Sequence, residues 1–322
     1  MRDRYEREID YLRISITDKC NLRCKYCMPG DIESLPMNEI LTYEEITHVA
    51  SAAAGLGIKR IKLTGGEPLV RRGACKLVGM LKGISGIEEV TLTTNGILLE
   101  DHIGELAGAG IDGINISIDT LDPERYRFIT GYDGLARVMR GLDLAYEAGI
   151  KLKINAVSLD REPFDLIELT RDRDIDVRFI EMMPIGAGKG YDAISHRELV
   201  PEVISRYPGT VRDGTRHGNG PAVYYKIPGY KGSIGFISAI HGVFCDSCNR
   251  IRLTSQGFLK SCLCYDTGVD LKRIIRSDVS DDEKMASLRA GIEEAVLCKP
   301  KAHSFSVEEE ISEKHAMSEI GG

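Results

Sequence analysis

Two groups of three cysteines are the chemically distinctive feature of this 322-residue chain. The first group lies in CNLRCKYC, at Cys20, Cys24 and Cys27. The second lies in FCDSCNRIRLTSQGFLKSC, at residues 245, 248 and 262. A structural zinc site closes its shell with four ligands, and an ordinary iron–sulfur cluster takes four thiolates. Three cysteines with no histidine beside the first motif therefore indicate a metal site that keeps one position open for another ligand.

Zinc is the alternative interpretation at both groups. A distant histidine could complete a zinc site at the first group, and a zinc ribbon-like site could form at the second. Cys264 could supply a fourth ligand there, and the spacing alone does not say whether Cys262 or Cys264 ligates. The chain holds nine cysteines, and their clustering favours metal binding over disulfides in a reducing compartment. We expect Cys75 and Cys298 to be small buried hydrophobic residues.

Composition and charge exclude several classes of protein. The net charge of −7 argues against a non-specific binder of nucleic acid or of acidic membranes. The N-terminus is charged and has no apolar run behind it, so it is not a secretory signal. The chain also lacks the run of about 18 apolar residues that a membrane span needs. These features predict a cytoplasmic protein.

Strand and helix patterns alternate six times over the first 181 residues. The spacing predicts a capped helix at 42–57, with Thr42 as N-cap and Glu45 completing a capping box. The other predicted helices lie at 74–82, up to about Gly110, at 123–130, at 134–148 and at 163–174. The predicted strands are 11–17, 59–64, 90–95, 113–119, 151–157 and 175–181. Short connections predict a parallel sheet covered by helices. Periodicity alone allows an open doubly wound sheet or a partial TIM-like barrel, and either one places working residues at the carboxyl ends of its strands.

The pattern changes after residue 182. Residues 208–221 are rich in Gly and Pro and read as a linker or flexible loop. Strands are predicted at 222–227 and 233–240, short strands around the second cysteine group, and a final helix at 282–298.

Several of these motifs together resemble a known superfamily. CxxxCxxC after the first strand, with Tyr26 before the third cysteine, and TGGEP at 64–68 resemble the radical S-adenosylmethionine (SAM) superfamily. CxxCNRxRxxxxGxxxxC, which begins at Cys245, resembles the C-terminal motif of the MoaA family, radical SAM GTP 3′,8-cyclases of molybdenum cofactor biosynthesis. That resemblance runs from YLRISITDKC to the terminal Gly321–Gly322. It implies a partial (β/α)6 radical SAM barrel at 1–215 and a smaller domain at 216–322 that carries a second iron–sulfur cluster and binds GTP.

The resemblance also implies the cofactors and the residues that hold them. The expected cofactors are SAM and two [4Fe–4S] clusters, one on Cys20, Cys24 and Cys27 and the other on Cys245, Cys248 and Cys262, with Cys264 as a bystander. The implied SAM contacts are Tyr26, Gly66, Ser117 and Met183. The implied GTP contacts are Arg13, Lys62, Thr93, Lys153, Arg250 and Arg252. The catalytic residues are expected to be Arg13, Arg250, Arg252, Gly321 and Gly322.

Two of these expectations have a direct physical basis. Arg250 and Arg252 are two residues apart, so on a strand they share one face and point into one cavity. Arginine offers a planar fork to phosphate groups or base edges. Lys62 stands where the family often has arginine, which keeps the charge but loses the fork.

In the reaction that the resemblance implies, a 5′-deoxyadenosyl radical removes hydrogen from C3′ of GTP and C3′ then bonds to C8 of guanine. The product is (8S)-3′,8-cyclo-7,8-dihydroguanosine 5′-triphosphate, which passes to a cyclic pyranopterin monophosphate synthase. The electron donor is unknown, and the oligomeric state is open, with a homodimer as one option. The alternative functions are a radical SAM enzyme acting on a peptide or RNA, and a non-enzymatic zinc-binding module.

Overall fold

The computed structural model describes residues 1–28, 30, 35–159, 164–191, 194–215, 217–242 and 244–321. Its centre is six parallel strands: β1 Tyr11–Ser15, β2 Arg60–Thr64, β3 Glu89–Thr94, β4 Gly113–Ser117, β5 Lys151–Val157 and β6 Asp176–Ile180. The helices between them are α1 Tyr43–Gly55, α2 Ala74–Lys82, α3 Leu99–Gly108, α4 Pro123–Thr130, α5 Leu135–Glu147 and α6 Phe164–Glu168. The sequence patterns therefore predicted all six strands, with ends that differ from the observed ones by at most two residues.

Each central strand has one apolar and one polar face. Leu12 and Ile14 of β1, like Ile61 and Leu63 of β2, are fully buried in the main hydrophobic core. The alternate positions carry polar residues, such as Arg13 and Lys62. Successive side chains of a strand point to opposite faces. An ordinary TIM barrel fills its interior with branched apolar residues, whereas the interior of this sheet is polar and suited to a polar ligand.

The order of the strands decides between the two folds left open above. β1 to β6 follow one another across the sheet in chain order, each parallel to the next. A doubly wound sheet reverses its strand order at a switch point, and this run of six strands has no reversal. The partial TIM-like barrel is therefore confirmed.

The C-terminal part of the chain extends the same sheet at both edges. β9 Ile234–Ile237 pairs parallel to β6, and β10 Arg250–Leu253 pairs parallel to β1. Antiparallel strands then cover the two outer edges: β8 Val223–Lys226 and β7 Val211–Asp213 beside β9, and β11 Phe258–Lys260 and β12 Gly268–Asp270 beside β10. The hydrogen-bonded ladder through β10 and β1 brings the second cysteine group back to the start of the barrel.

Helix α1 carries the predicted cap. Thr42 accepts a hydrogen bond from the backbone N–H of Glu45, whose carboxylate accepts one from the backbone N–H of Thr42. The helix predicted at 163–174 was too long, and residue 163 lies outside the described residues. The helix ends at Glu168 because the next residues form i→i+3 turns, and Lys231 and Gly232 donate hydrogen bonds to the carbonyls of Arg171 and Thr170.

The region after residue 182 contains a helix and a strand that the sequence patterns did not predict. α7 His196–Arg206 begins at Ser195, and β7 lies inside the segment predicted as a linker. Ser195 followed three residues later by Glu198 is a capping pattern that could have revealed α7; Pro201 inside the helix obscured it. The remaining helices are α8 Leu271–Ile275, α9 Asp281–Leu297 and α10 Met317–Ile320. Within the described part of the chain, no helix is both long enough and apolar enough to cross a membrane.

Candidate active site

A cavity of about 320 Å³ lies at the carboxyl ends of the barrel strands. Every one of the six central strands contributes to it, through Thr64, Thr93, Ser117, Asn155 and Ile180 near strand ends and through Arg13. The C-terminal region forms the rest of its wall, and both cysteine groups line it: Cys20, Cys24, Cys27, Cys245, Cys248 and Cys262. Two groups that are more than 200 residues apart in sequence thus share one chamber.

The first cysteine group sits in a loop with N–H donors directed at its sulfurs. The backbone N–H of Leu22 lies 3.4 Å from Sγ of Cys20, and Nδ2 of Asn95 lies 3.7 Å from the same atom. The backbone N–H of Ser318 acts to lower the pKa of the Cys27 thiol, against the effect of burial. Hydrogen bonds to ligand sulfurs are typical of iron–sulfur sites and tune their potential. Three thiols on one chamber wall with these donors fit an iron–sulfur cluster.

Tyr26 and Gly66 hold this loop against the barrel. The Tyr26 hydroxyl donates to Oδ2 of Asp119, 2.7 Å away, at the end of β4. A Cβ on Gly66 would lie 2.4 Å from the carbonyl oxygen of Lys19, so no other residue fits there without backbone movement. Gly66, Tyr26, Ser117 and Met183, the four residues predicted to contact SAM, all line the cavity.

The second cysteine group lies in a cationic environment. Arg250 and Lys299 line the cavity together with Cys248. Burial acts to raise the pKa of Cys248, but the charges of Arg250 and Lys299 outweigh it and lower that pKa to about 6. The backbone N–H of His303 lies 3.4 Å from Sγ of Cys245. By contrast, burial together with Cys20 and Asp119 raises the pKa of Cys27 to about 12.

Cys262 and Cys264 separate clearly in space. Cys262 lines the cavity with Cys245 and Cys248, whereas Cys264 is fully buried in a small apolar cluster with Leu263 and Ile320. The geometry favours Cys262 as the third ligand, as the sequence resemblance implied.

A row of basic residues crosses three neighbouring strands. Arg252 of β10 lies opposite Arg13 of β1, and Arg13 lies opposite Lys62 of β2. Burial lowers the pKa of Arg13 to about 10, with Arg250 and Arg178 acting in the same direction. Burial and the neighbouring cations also lower the pKa values of Lys62 and Arg252 well below their ordinary range. Buried like charges at this spacing favour an anion as their partner.

Four of the six residues predicted to contact GTP line the cavity in the structure, and two do not. Arg13, Thr93, Arg250 and Arg252 line the cavity, and both strand-paired arginines of β10 face it as expected. Lys62 and Lys153 are not among the cavity-lining residues of the described chain. Lys62 adjoins Arg13 in the barrel interior. Lys153 forms an ion pair with Asp176 at 2.6 Å, beside the ring of Tyr224.

The C-terminal tail enters the barrel. Gly321 has a left-handed backbone with φ of +74°, and its carbonyl oxygen accepts a hydrogen bond from Nη1 of Arg252 at 2.7 Å. A Cβ at this position would lie 2.8 Å from Oγ1 of Thr64 and 3.2 Å from Cβ of Ser15. Only glycine meets both demands. Gly322 lies outside the described residues.

Several cavity residues were not singled out from the sequence. Glu67 is buried and accepts hydrogen bonds from the backbone N–H groups of Leu69 and Asn95 and from the hydroxyl of Thr94.

Lys299 and His303 follow the last long helix, where no motif marks them, and both line the cavity. Lys299 donates to the carbonyls of Arg250 and Ser261 at 2.8 and 2.7 Å and so holds β10 beside the second cysteine group. Arg178 on β6 is not among the described cavity-lining residues, but it is buried and donates to Oδ1 of the cavity residue Asn155 at 2.6 Å. Its inward strand position was the signal that could have identified it.

The two remaining cysteines differ from each other. Cys75 is buried in the core as expected, with its thiol near Glu105 and His102 of α3. The expectation for Cys298 was wrong, because this residue is exposed. The buried face of α9 runs through Leu288, Ile292 and Ala295 and continues to Lys299, which leaves Cys298 one position off that face.

The amino-acid sequence matches two family models and several curated proteins along its length. Residues 14–173 match the family model of the radical SAM superfamily, and residues 175–305 match the model described as Molybdenum Cofactor Synthesis C. The GTP 3′,8-cyclase of Clostridium perfringens (strain 13 / Type A) is 45% identical over 328 residues, which cover 100% of both chains. The GTP 3′,8-cyclase of Alkaliphilus oremlandii (strain OhILAs) is 42% identical over 100% of both chains.

The chain belongs to the GTP 3′,8-cyclase family of radical SAM proteins.

A solved structure supports the fold. Streptococcus suis SuiB bound to S-adenosylmethionine superimposes with a TM-score of 0.60 at 15% identity, over 97% of this chain and 78% of that one. At this identity the likeness concerns the fold alone. Membership of the radical SAM superfamily carries SAM and an iron–sulfur cluster as cofactors, in agreement with the N–H donors around the first cysteine group of this GTP 3′,8-cyclase family member.

Proposed function

We propose that this chain is a radical SAM GTP 3′,8-cyclase, which converts GTP to (8S)-3′,8-cyclo-7,8-dihydroguanosine 5′-triphosphate in molybdenum cofactor biosynthesis. One observation carries the proposal: both cysteine groups and a set of inward arginines face a single cavity. Relatives that are 42–45% identical over the full length bear the name of this activity.

The SAM half of the site is proposed to lie at the first cysteine group. Cys20, Cys24 and Cys27 would hold a [4Fe–4S] cluster, which with SAM supplies a 5′-deoxyadenosyl radical as the hydrogen-abstracting reagent. Tyr26, Gly66, Ser117 and Met183 would position SAM. The support from this chain is that all four line the cavity on the side of the barrel strands.

The GTP half is proposed to lie at the second cysteine group. Cys245, Cys248 and Cys262 would hold a second [4Fe–4S] cluster. Arg13, Lys62, Thr93, Lys153, Arg250 and Arg252 would bind the substrate, with Gly321 and Gly322 beside it. Arg13, Lys62 and Arg252 lie side by side across three strands, so a polyanion would relieve their mutual repulsion. Arginine forks also suit phosphate oxygens and the guanine edge.

The protein's own part in the reaction is orientation and exclusion of water. The barrel would hold SAM from one side, β10 and the tail would hold GTP from the other, and the chamber between them would limit the access of solvent to reactive species. The backbone carbonyl of Gly321, held by Arg252, would occupy the rim of the substrate pocket.

An anaerobic turnover assay tests the function. The cluster-reconstituted protein receives SAM, a strong reductant and either GTP or ATP, and mass spectrometry follows 5′-deoxyadenosine and the cyclised nucleotide. Formation of the cyclised product with GTP only is the expected result. Formation of 5′-deoxyadenosine with unchanged GTP would refute the assigned substrate, and intact clusters without SAM cleavage would refute the radical SAM chemistry.

The same proposal extends to the domain limits, the cellular compartment and the partners of the protein. The barrel unit is proposed to end at residue 215 and the GTP-binding unit to cover 216–322. The enzyme is proposed to work in the cytoplasm, where it would hand its product to a cyclic pyranopterin monophosphate synthase. Gel filtration would test the homodimer that the sequence left as an option.

A further inference from the structure

The last residues of the chain connect the two cysteine groups. Ile311 and Ile320 are buried in the apolar cluster that holds Leu263 and Cys264, directly after Cys262. Between them, the backbone N–H of Ser318 lies close enough to Cys27 to influence the pKa of its thiol, and just after them the carbonyl of Gly321 reaches Arg252. Met317 and Ser318 line the cavity itself. The tail is therefore a wall of the chamber, and something must hold it there.

A buried ion pair lies where the tail joins the body of the protein. The carboxylate of Glu313 contacts the ammonium group of Lys260, with 0% and 2% of their side chains exposed. Lys260 also donates to the carbonyl of Tyr265 at 2.7 Å. The other carboxylate oxygen of Glu313 accepts from the backbone N–H of His315 at 2.8 Å. Burial by itself would raise the pKa of Glu313, but these hydrogen bonds hold it below its ordinary value.

The backbone at Glu313 is also tied to the region of the second cysteine group. The backbone N–H of Glu313 donates to the carbonyl of Cys264 at 3.2 Å. Nδ1 of the exposed His315 ring also lies 2.8 Å from Oε1 of Glu313, but His315 belongs to the tail and moves with it. Lys260 is therefore the partner that ties this buried carboxylate to the body of the protein, and a buried charge that loses such a partner is strongly unfavourable. Only three residues separate Glu313 from Met317, which lines the cavity. Because so short a segment cannot bridge a large displacement, Met317 and the residues after it would move if Glu313 left its buried position.

We propose that Lys260 and Glu313 are positioning residues, a buried latch that docks the C-terminal tail in the chamber and thereby couples SAM cleavage to cyclisation of GTP. The coupling part rests on the proposed function, whereas the docking part does not. Neither residue lines the cavity among the described residues, so the latch acts through Met317, Ser318 and Gly321.

Limited trypsin digestion tests docking independently of activity. Lys314 is exposed and follows the latch directly, so cleavage there releases the peptide 315–322, which mass spectrometry identifies. The holoenzyme with Glu313→Gln or Lys260→Met is expected to release this peptide at least about ten-fold faster than the wild type, because cleavage requires local opening of the tail. Lys59→Met, which removes an exposed pair with Glu88 at 3.0 Å, is the matched control and should behave as the wild type. Equal release from wild type and both latch variants would overturn the proposal.

Anaerobic turnover then tests coupling. In Glu313→Gln the ratio of cyclised product to 5′-deoxyadenosine should fall at least about ten-fold while 5′-deoxyadenosine still forms. If Glu313→Gln does not retain its clusters, Lys260→Met, which removes the other half of the latch, takes its place. A wild-type ratio in a variant with a released tail would overturn the coupling part. Failure of the wild type itself to cyclise GTP would instead refute the proposed function and leave the trypsin result standing.

Discussion

Replacing Gly321 by alanine should expel the tail from the chamber. The left-handed backbone at φ +74° costs a non-glycine residue about 1–2 kcal/mol. The new Cβ would also lie 2.8 Å from Oγ1 of Thr64, and overpacking of a closed site costs about 1–3 kcal/mol. Together the docked tail would lose about 2–5 kcal/mol, which is roughly a 30- to 4,000-fold shift of its docking equilibrium.

The assay compares cyclised product per 5′-deoxyadenosine for the wild type and Gly321→Ala, with trypsin release of 315–322 as the measure of docking. Gly149→Ala is the matched control, because Gly149 has a similar φ of +72° but no atom within 4 Å of its ideal Cβ. This control should lose about 1–2 kcal/mol of stability and keep wild-type coupling. A Gly321→Ala variant that docks and couples like the wild type would show that crowding at Thr64 does not restrict the tail.

Four further outcomes follow from the same structure. Cys262→Ala should remove the iron and sulfide of the second cluster, whereas Cys264→Ala should keep them and lose about 1–2 kcal/mol of folding stability through a small cavity; equal iron loss in both would contradict the assignment. Cys20→Ala should abolish SAM cleavage. Arg252→Ala should keep SAM cleavage and lose cyclisation, and a wild-type cyclisation rate would show that the substrate lies elsewhere. Burial lowers the pKa of His196 from 6.5 to about 4, so the folded protein keeps this imidazole neutral while the unfolded chain protonates it. The free energy of unfolding should therefore fall by about 3 kcal/mol as pH falls from 6.5 to 4. Denaturant unfolding at pH 7 and pH 5 should show a smaller fall in His196→Gln than in the wild type, and an equal fall would exclude His196 as its source.

The barrel was predictable because its signals are local. Alternation within β1 and β2 places apolar residues such as Leu12 and Leu63 on one face, and the cap at Thr42 needs only Glu45, three residues away. The spacing of the cysteines within each motif is local as well. Regions without such short-range patterns were less predictable: Pro201 concealed α7, and turn formation after Glu168 shortened α6.

The partner of Lys153 illustrates what periodicity does not contain. Its strand position predicted an inward charge, yet Asp176, 23 residues later, pairs with it, and the ring of Tyr224 lies beside it. Whether such a lysine is paired within the protein depends on which strands become neighbours. Strand order is a property of the whole chain, because distant strands pair only where the loops and the core allow them to meet.

By itself, the sequence determined the ligand types, the six strand–helix units and the inward direction of Arg250 and Arg252, since each depends on residues a few positions apart. Only the tertiary structure decided that the two cysteine groups share one cavity and that Cys262 faces it while Cys264 is buried behind it. It also decided that Lys260 meets Glu313 and that Gly321 meets Arg252. Those pairs are separated by 53 and 69 residues, and contacts of that range form only when the complete sheet brings its two edges around a common interior.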